Sequence, residues 1–103
     1  MKGFQLIFST LHNRKHTNGE NLVEWLEKNA QKLGIQGITI INVSQGGGRD
    51  GKVHSASFFE LADQPIEVIM NVSEEECAKL FAFLAEEKQG IFYTKTAIEF
   101  GTI

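Results

Sequence analysis

The chain has 103 residues, 42% of them hydrophobic and 22% charged, with a formal net charge of −3. A chain of that length buries roughly two-thirds of its unfolded surface, enough for one core and too little for a second. The slight acidic excess argues against a broad nucleic-acid-binding surface, the single Cys77 excludes an internal disulfide, and no apolar run reaches the about eighteen residues of a membrane span. The expectation is a single domain over 1–103, cytoplasmic, in a reducing compartment.

The first element, Gly3 to Leu11, alternates Phe4, Leu6 and Phe8 with Gln5, Ile7 and Ser9, which predicts a strand buried chiefly on one face. A polar, basic stretch from His12 to Gly19 follows and reads as a solvated loop. Thr17 and Glu20 have capping-box spacing, with Asn18 as a competing cap. Leu22, Leu26, Ala30 and Leu33 then recur at helical spacing, flanked by Val23 and Trp25, and Gly34 stops the helix. Ile38 to Val43 is a β-branched run that predicts a mostly buried second strand.

Gly46, Gly47 and Gly48 interrupt that run and open a polar excursion through Arg49, Asp50, Gly51 and Lys52. Ser55 to Leu61 suggests a weaker strand extension, and Pro65 suits a strand start. Ile66, Val68, Met70 and Val72 alternate as a third strand. Ser73 and Glu76 form a second capping box, with Glu74 to Glu76 matched to the positive end of the helix dipole. Cys77, Leu80, Phe81 and Leu84 make the apolar stripe of that helix, and Gly90 ends it. Ile91 to Phe100 forms a fourth strand with Phe92, Ile98 and Phe100 on one face. The order βαββαβ predicts an α+β, ferredoxin-like sandwich: a four-stranded antiparallel sheet with two helices on one face.

The chemistry concentrates in Gln45 to His54. Glycines permit positive φ and close approach of amides to a ligand, and Arg49 and Lys52 add charge suited to phosphate. The alternative is a long hairpin loop whose glycines serve only flexibility. No Gly-Lys-Ser/Thr opens a helix after it, so it is not a Walker loop. His12 and His16 are four residues apart, but the segment holding them is not helical and offers no third metal ligand. Cys77 sits on an apolar helix stripe as a buried, unreactive thiol. No acid–base pair stands out, so no catalytic residue is assigned and the chain is read as a non-enzyme.

The stretch Leu33-Gly34-Ile35-Gln36-Gly37-Ile38-Thr39-Ile40 resembles the PII and PII-like signalling proteins, in which a glycine-ended first helix leads through G-I-x-G-x-T into the second strand and then the T-loop. Gly46-Gly47-Gly48, the run Lys52-Val53-His54-Ser55, and the passage Leu61 to Pro65 into Ile66–Asn71 are similar to the PII-like branch of small bacterial proteins. The resemblance implies a homotrimer with an adenine nucleotide in the clefts between subunits, and a T-loop between strands 2 and 3 that engages a partner. That partner would be a membrane transporter, channel or enzyme, which could draw the protein to the inner face of the membrane.

By position, Thr39 would lie near the base, Gly46, Gly47 and Gly48 at the loop base, and Arg49, Lys52, Lys88 and Gly90 near phosphates. Arg49, Asp50, Gly51, Lys52, Val53 and His54 would form the partner-binding loop. The short turn Glu87-Lys88-Gln89-Gly90, an ending at Gly101-Thr102-Ile103 without arginines, and a loop without tyrosine depart from true PII proteins. They shift the expected effector from paired ATP and 2-oxoglutarate sensing toward a single mononucleotide (AMP, ADP, ATP or cyclic AMP) or a different small anion, with no required cofactor and no metal site. Two other readings use the same fold: a CutA-like trimeric metal-tolerance protein with His12, His16 and His54 as ligands, and a small acylphosphatase-like hydrolase.

Overall fold

The computed structural model describes residues 1–43 and 64–103. In chain order the elements are β1 (Lys2–Leu11), α1 (Leu22–Lys32), β2 (Ile38–Asn42), β3 (Pro65–Ser73), α2 (Glu74–Glu87) and β4 (Phe92–Glu99). The strands form one sheet in the order β2-β3-β1-β4, with every neighbouring pair antiparallel. This is the ferredoxin-like arrangement expected from the element order. The suggested strand extension at Ser55 to Leu61 lies outside the described residues.

Register explains which side chains meet the helices. Phe8 pairs with Val68 and Leu6 with Met70, and all four are buried on one sheet face. Leu22, Leu26 and Ala30 of α1, with Cys77 and Leu80 of α2, join them in the single core cluster, so both helices cover that face. The opposite face carries Gln5, Ile7, Ile69, Thr39 and Ile41, and no helix of the described residues covers it. Phe92 and Ile98 share this uncovered face, and Phe92 is 66% exposed. The second strand is less buried than its β-branched run predicted: β2 is an edge strand, with Thr39 to Asn42 all exposed.

The helix ends follow local chemistry. In α2, the Ser73 side chain accepts the Glu76 N–H at 3.1 Å and Glu76 accepts the Ser73 N–H at 2.9 Å, the anticipated capping box. At the end of α1, Gly34 has φ +90 and donates to the Gln31 carbonyl, while Ile35 donates to Ala30. These two bonds form a Schellman motif, and they swing Ile35 into the core at 1% exposure. The start of α1 differs from the sequence expectation. Its cap is Asn21, whose side chain accepts the Glu24 N–H at 3.1 Å. Thr17 and Glu20 do not form a capping box, because Asn18 and Glu20 bond each other in a tight turn and Lys15 bridges to Asn21 before the helix begins. The end of α2 also differs: the left-handed cap is Lys88, at φ 53, and Gly90 provides a second positive φ of 67 two residues later.

Candidate functional site

Three connections gather at one end of the sheet. β1 ends at Leu11 opposite Pro65, and Ser9 pairs with Phe92 at the start of β4. The β1–α1 loop, both stems of the segment joining β2 to β3, and the α2–β4 turn therefore share that end. The stems are anchored: Val43 donates to the Pro65 carbonyl at 3.0 Å, and His12 donates to the Gln64 carbonyl at 2.8 Å.

Most of the β1–α1 loop is exposed, as its composition suggests, with His16 buried and Arg14 partly so. His16 is 8% exposed and lies tilted against Trp25, with ring centroids 4.4 Å apart. Its Nδ1 accepts the Asn18 N–H at 2.9 Å, which leaves the proton on Nε2 to be donated to Glu87 Oε1 at 2.8 Å. Gln89 closes a reciprocal pair with Thr17: its Oε1 accepts the Thr17 N–H at 3.2 Å, and its Nε2 lies 3.3 Å from the Thr17 hydroxyl. The Arg14 guanidinium donates to two successive carbonyls, to Gly90 through Nη1 at 3.3 Å and to Gln89 through Nη2. Farther along the loop, a hydrogen bond from Lys28 to exposed Glu20, at 2.7 Å, holds that carboxyl below its ordinary range. Residues of a polar loop thus fasten the turn that ends α2. The sequence signal was present in the Arg14, His16 and Gln89 side chains, but their partners lie more than seventy positions away.

That turn borders a cavity of about 190 Å³ between α2 and β4. Phe8, Phe81, Leu84 and Tyr93 form its apolar wall, while Gln89 and Gly90 supply its polar edge. Phe81 and Tyr93 meet edge to face at 4.8 Å. Beyond them on the helix-covered face, the Lys95 ammonium sits over the Phe4 ring, 4.2 Å from its centroid. Cys77 is buried on the core side of α2, and desolvation pushes its thiol pKa upward against the nearby Lys95 charge.

The described candidate residues fall into two places. Lys88 and Gly90 are in the α2–β4 turn, while Thr39 is exposed on β2, opposite Ile69 on the uncovered sheet face. The sheet order separates β2 from β4 by three interstrand steps of about 4.8 Å each, so one chain does not bring Thr39 and the turn together. Gly46, Gly47, Gly48, Arg49, Asp50, Gly51, Lys52, Val53 and His54 lie outside the described residues. Among the described residues, no group of three His, Cys, Asp or Glu side chains could hold a metal ion, and no helix is long and apolar enough to cross a membrane.

Comparison with known proteins agrees with this architecture. A putative PII-like signaling protein from Thermus thermophilus (TTHA0516) superposes with a TM-score of 0.64 at 18% identity, over 95% of this chain and 88% of that one. CPII from Thiomonas intermedia, a nitrogen regulatory PII-like protein bound to ADP, AMP and bicarbonate, gives 0.60 at 19% identity over 100% and 97%. The same protein bound to ADP, AMP and acetate gives 0.57 at 17% identity over 95% and 89%. None of the curated proteins matches the sequence. The family DUF190, described as "Uncharacterized ACR", matches residues 7–100. The chain thus belongs to the DUF190 family and has the fold of the PII-like signalling proteins.

Proposed function

We propose that the protein is a single-domain, ligand-sensing regulator that assembles as a homotrimer and takes an adenine nucleotide in clefts between subunits. The observation that carries this reading is the separation of Thr39 from the 88–91 turn on opposite edge strands. A mononucleotide that touches both must span the β2 edge of one copy and the β4 edge of another. The uncovered sheet face supports association as well, since it presents Ile7, Ile69, Ile41 and Ile98 with no helix of the described residues over them. The fold is shared with CPII, which binds ADP and AMP, and that makes these two nucleotides the first ligands to try.

In this reading Lys88 and Gly90 face the phosphates, with Arg49, Lys52 and Gly46 to Gly48 completing their surroundings from the segment between β2 and β3. Ligand binding acts through that segment, whose residues 49–54 engage or release a partner such as a membrane transporter, channel or enzyme. The protein acts by binding, as a regulator and not a catalyst, in the cytoplasm or at the inner face of the membrane. The metal-tolerance alternative would require His16 to give up partners that already occupy both of its ring nitrogens.

Isothermal titration with ADP, AMP, ATP and cyclic AMP, paired with light scattering, tests this reading. The expected result is saturable binding of at least one nucleotide by a particle of three chains, lost in Arg49→Ala/Lys52→Ala and in Thr39→Trp. A monomer, or a protein that binds none of the four, refutes it.

A further inference from the structure

The grip of Arg14 on the α2–β4 turn has a consequence for ligand binding that rests on the reading above. Within a trans peptide the carbonyl of one residue and the N–H of the next point in opposite directions. No peptide bond of the described residues is cis. The Gln89 carbonyl shares its peptide plane with the Gly90 N–H, and the Gly90 carbonyl shares its plane with the Ile91 N–H. Arg14 draws both carbonyls to one side, so the two N–H groups are directed to the other. Among the described residues neither N–H has a hydrogen-bond partner.

Lys88 at φ 53 and Gly90 at φ 67 put a positive φ on either side of Gln89, and left-handed residues are one ingredient of the backbone concavities that hold anions. The turn also borders the cavity beneath Phe81 and Tyr93, so it flanks open space as well as the loop that clamps it. Arg14 is itself committed to two carbonyl oxygens, which makes it a holder of the turn and not a contact of the ligand.

We propose that Arg14 is a positioning residue for anion binding: its two-pronged grip on the Gln89 and Gly90 carbonyls orients the Gly90 and Ile91 N–H groups to receive a phosphate or diphosphate. Lysine at position 14 would keep the charge but lacks the planar fork that spans two carbonyls. Charge and positioning can therefore be separated.

The test compares the intact wild-type chain with Arg14→Lys and Arg14→Gln, using pyrophosphate, ADP and adenosine as probes. Binding is read by calorimetry and by the amide resonances of Gly90 and Ile91 in ¹⁵N-labelled protein. The expected result is that pyrophosphate shifts both resonances in wild type, that both variants bind pyrophosphate and ADP about tenfold more weakly, and that neither loses affinity for adenosine. Pyrophosphate binding that persists in Arg14→Lys and falls only in Arg14→Gln assigns the effect to charge and overturns the proposal. Equal losses for ADP and adenosine reveal a merely structural role and overturn it too, as does a wild-type chain whose two amides ignore pyrophosphate. A wild type whose amides respond to pyrophosphate through Arg14, but which binds no adenine nucleotide, supports the positioning role while refuting the nucleotide reading.

Discussion

Replacing His16 with alanine tests whether the β1–α1 loop is structural. The imidazole is 8% exposed, bonds Glu87 at 2.8 Å and the Asn18 N–H at 2.9 Å, and packs at a tilt against Trp25. The bond to a carboxylate contributes about 1.5 kcal/mol, the neutral bond about 1 kcal/mol, and the ring contact about 0.5 kcal/mol more. The expected cost of His16→Ala is therefore about 3 kcal/mol. In a domain of this size that lowers the melting temperature by roughly 12–24 °C, compared at one protomer concentration because association shifts the midpoint. Urea unfolding of the single variants His16→Ala and Glu87→Ala and of the double variant completes the cycle, with an expected coupling of about 1–2 kcal/mol. A solvated loop predicts a cost within about 0.5 kcal/mol and no coupling. That outcome would refute the reasoning.

Two further predictions concern α2. Lys88→Gly relieves a left-handed side-chain residue at φ 53 and is expected to raise the stability of the ligand-free protein by about 0.5–1 kcal/mol in urea melts, while the proposed phosphate contact predicts a smaller thermal shift with ADP once the ammonium is gone. The raised pKa of buried Cys77 means that the unfolded chain loses its thiol proton first as pH rises. Its stabilising contribution is thus complete below the ordinary thiol range and disappears as pH climbs through the raised value. Wild type should therefore lose stability between about pH 8 and 10 more steeply than Cys77→Ala; equal slopes would contradict burial of the thiol.

Much of the fold is written in short-range patterns. Alternation at Ile66, Val68, Met70 and Val72 places one face of β3 in the core because a strand has a period of two. Ser73 with Glu76, and Gly34, mark helix ends because each meets its partner within one or two turns of chain. The failures share a different cause. Thr17 and Glu20 match a cap by spacing, yet the carboxamide of Asn18 takes the Glu20 N–H first and the helix waits for Asn21. Gly90 looks like the end of α2, yet the helix closes at Lys88, where Arg14, His16 and Thr17 hold the turn from a distant loop. Composition reads that loop as solvated, which holds for most of it, but it cannot express contacts to a turn more than seventy positions away.

The same limit governs the candidate site. Thr39 and Lys88 are each legible as residues, but the relation between them is not, because it depends on strand order. A sheet ordered β2-β3-β1-β4 sends the strand carrying Thr39 and the strand following Lys88 to opposite edges. It also leaves one whole face, with Ile7 and Ile69 at its centre, outside the core that both helices cover. In the proposed trimer, association would cover that apolar face and bring one chain's β2 edge toward another's β4 edge. In such an assembly the α2–β4 turn must keep its shape while its surroundings exchange solvent for ligand. Its anchors from Arg14, His16 and Thr17 belong to the same chain, so the turn can be formed before the cleft is complete.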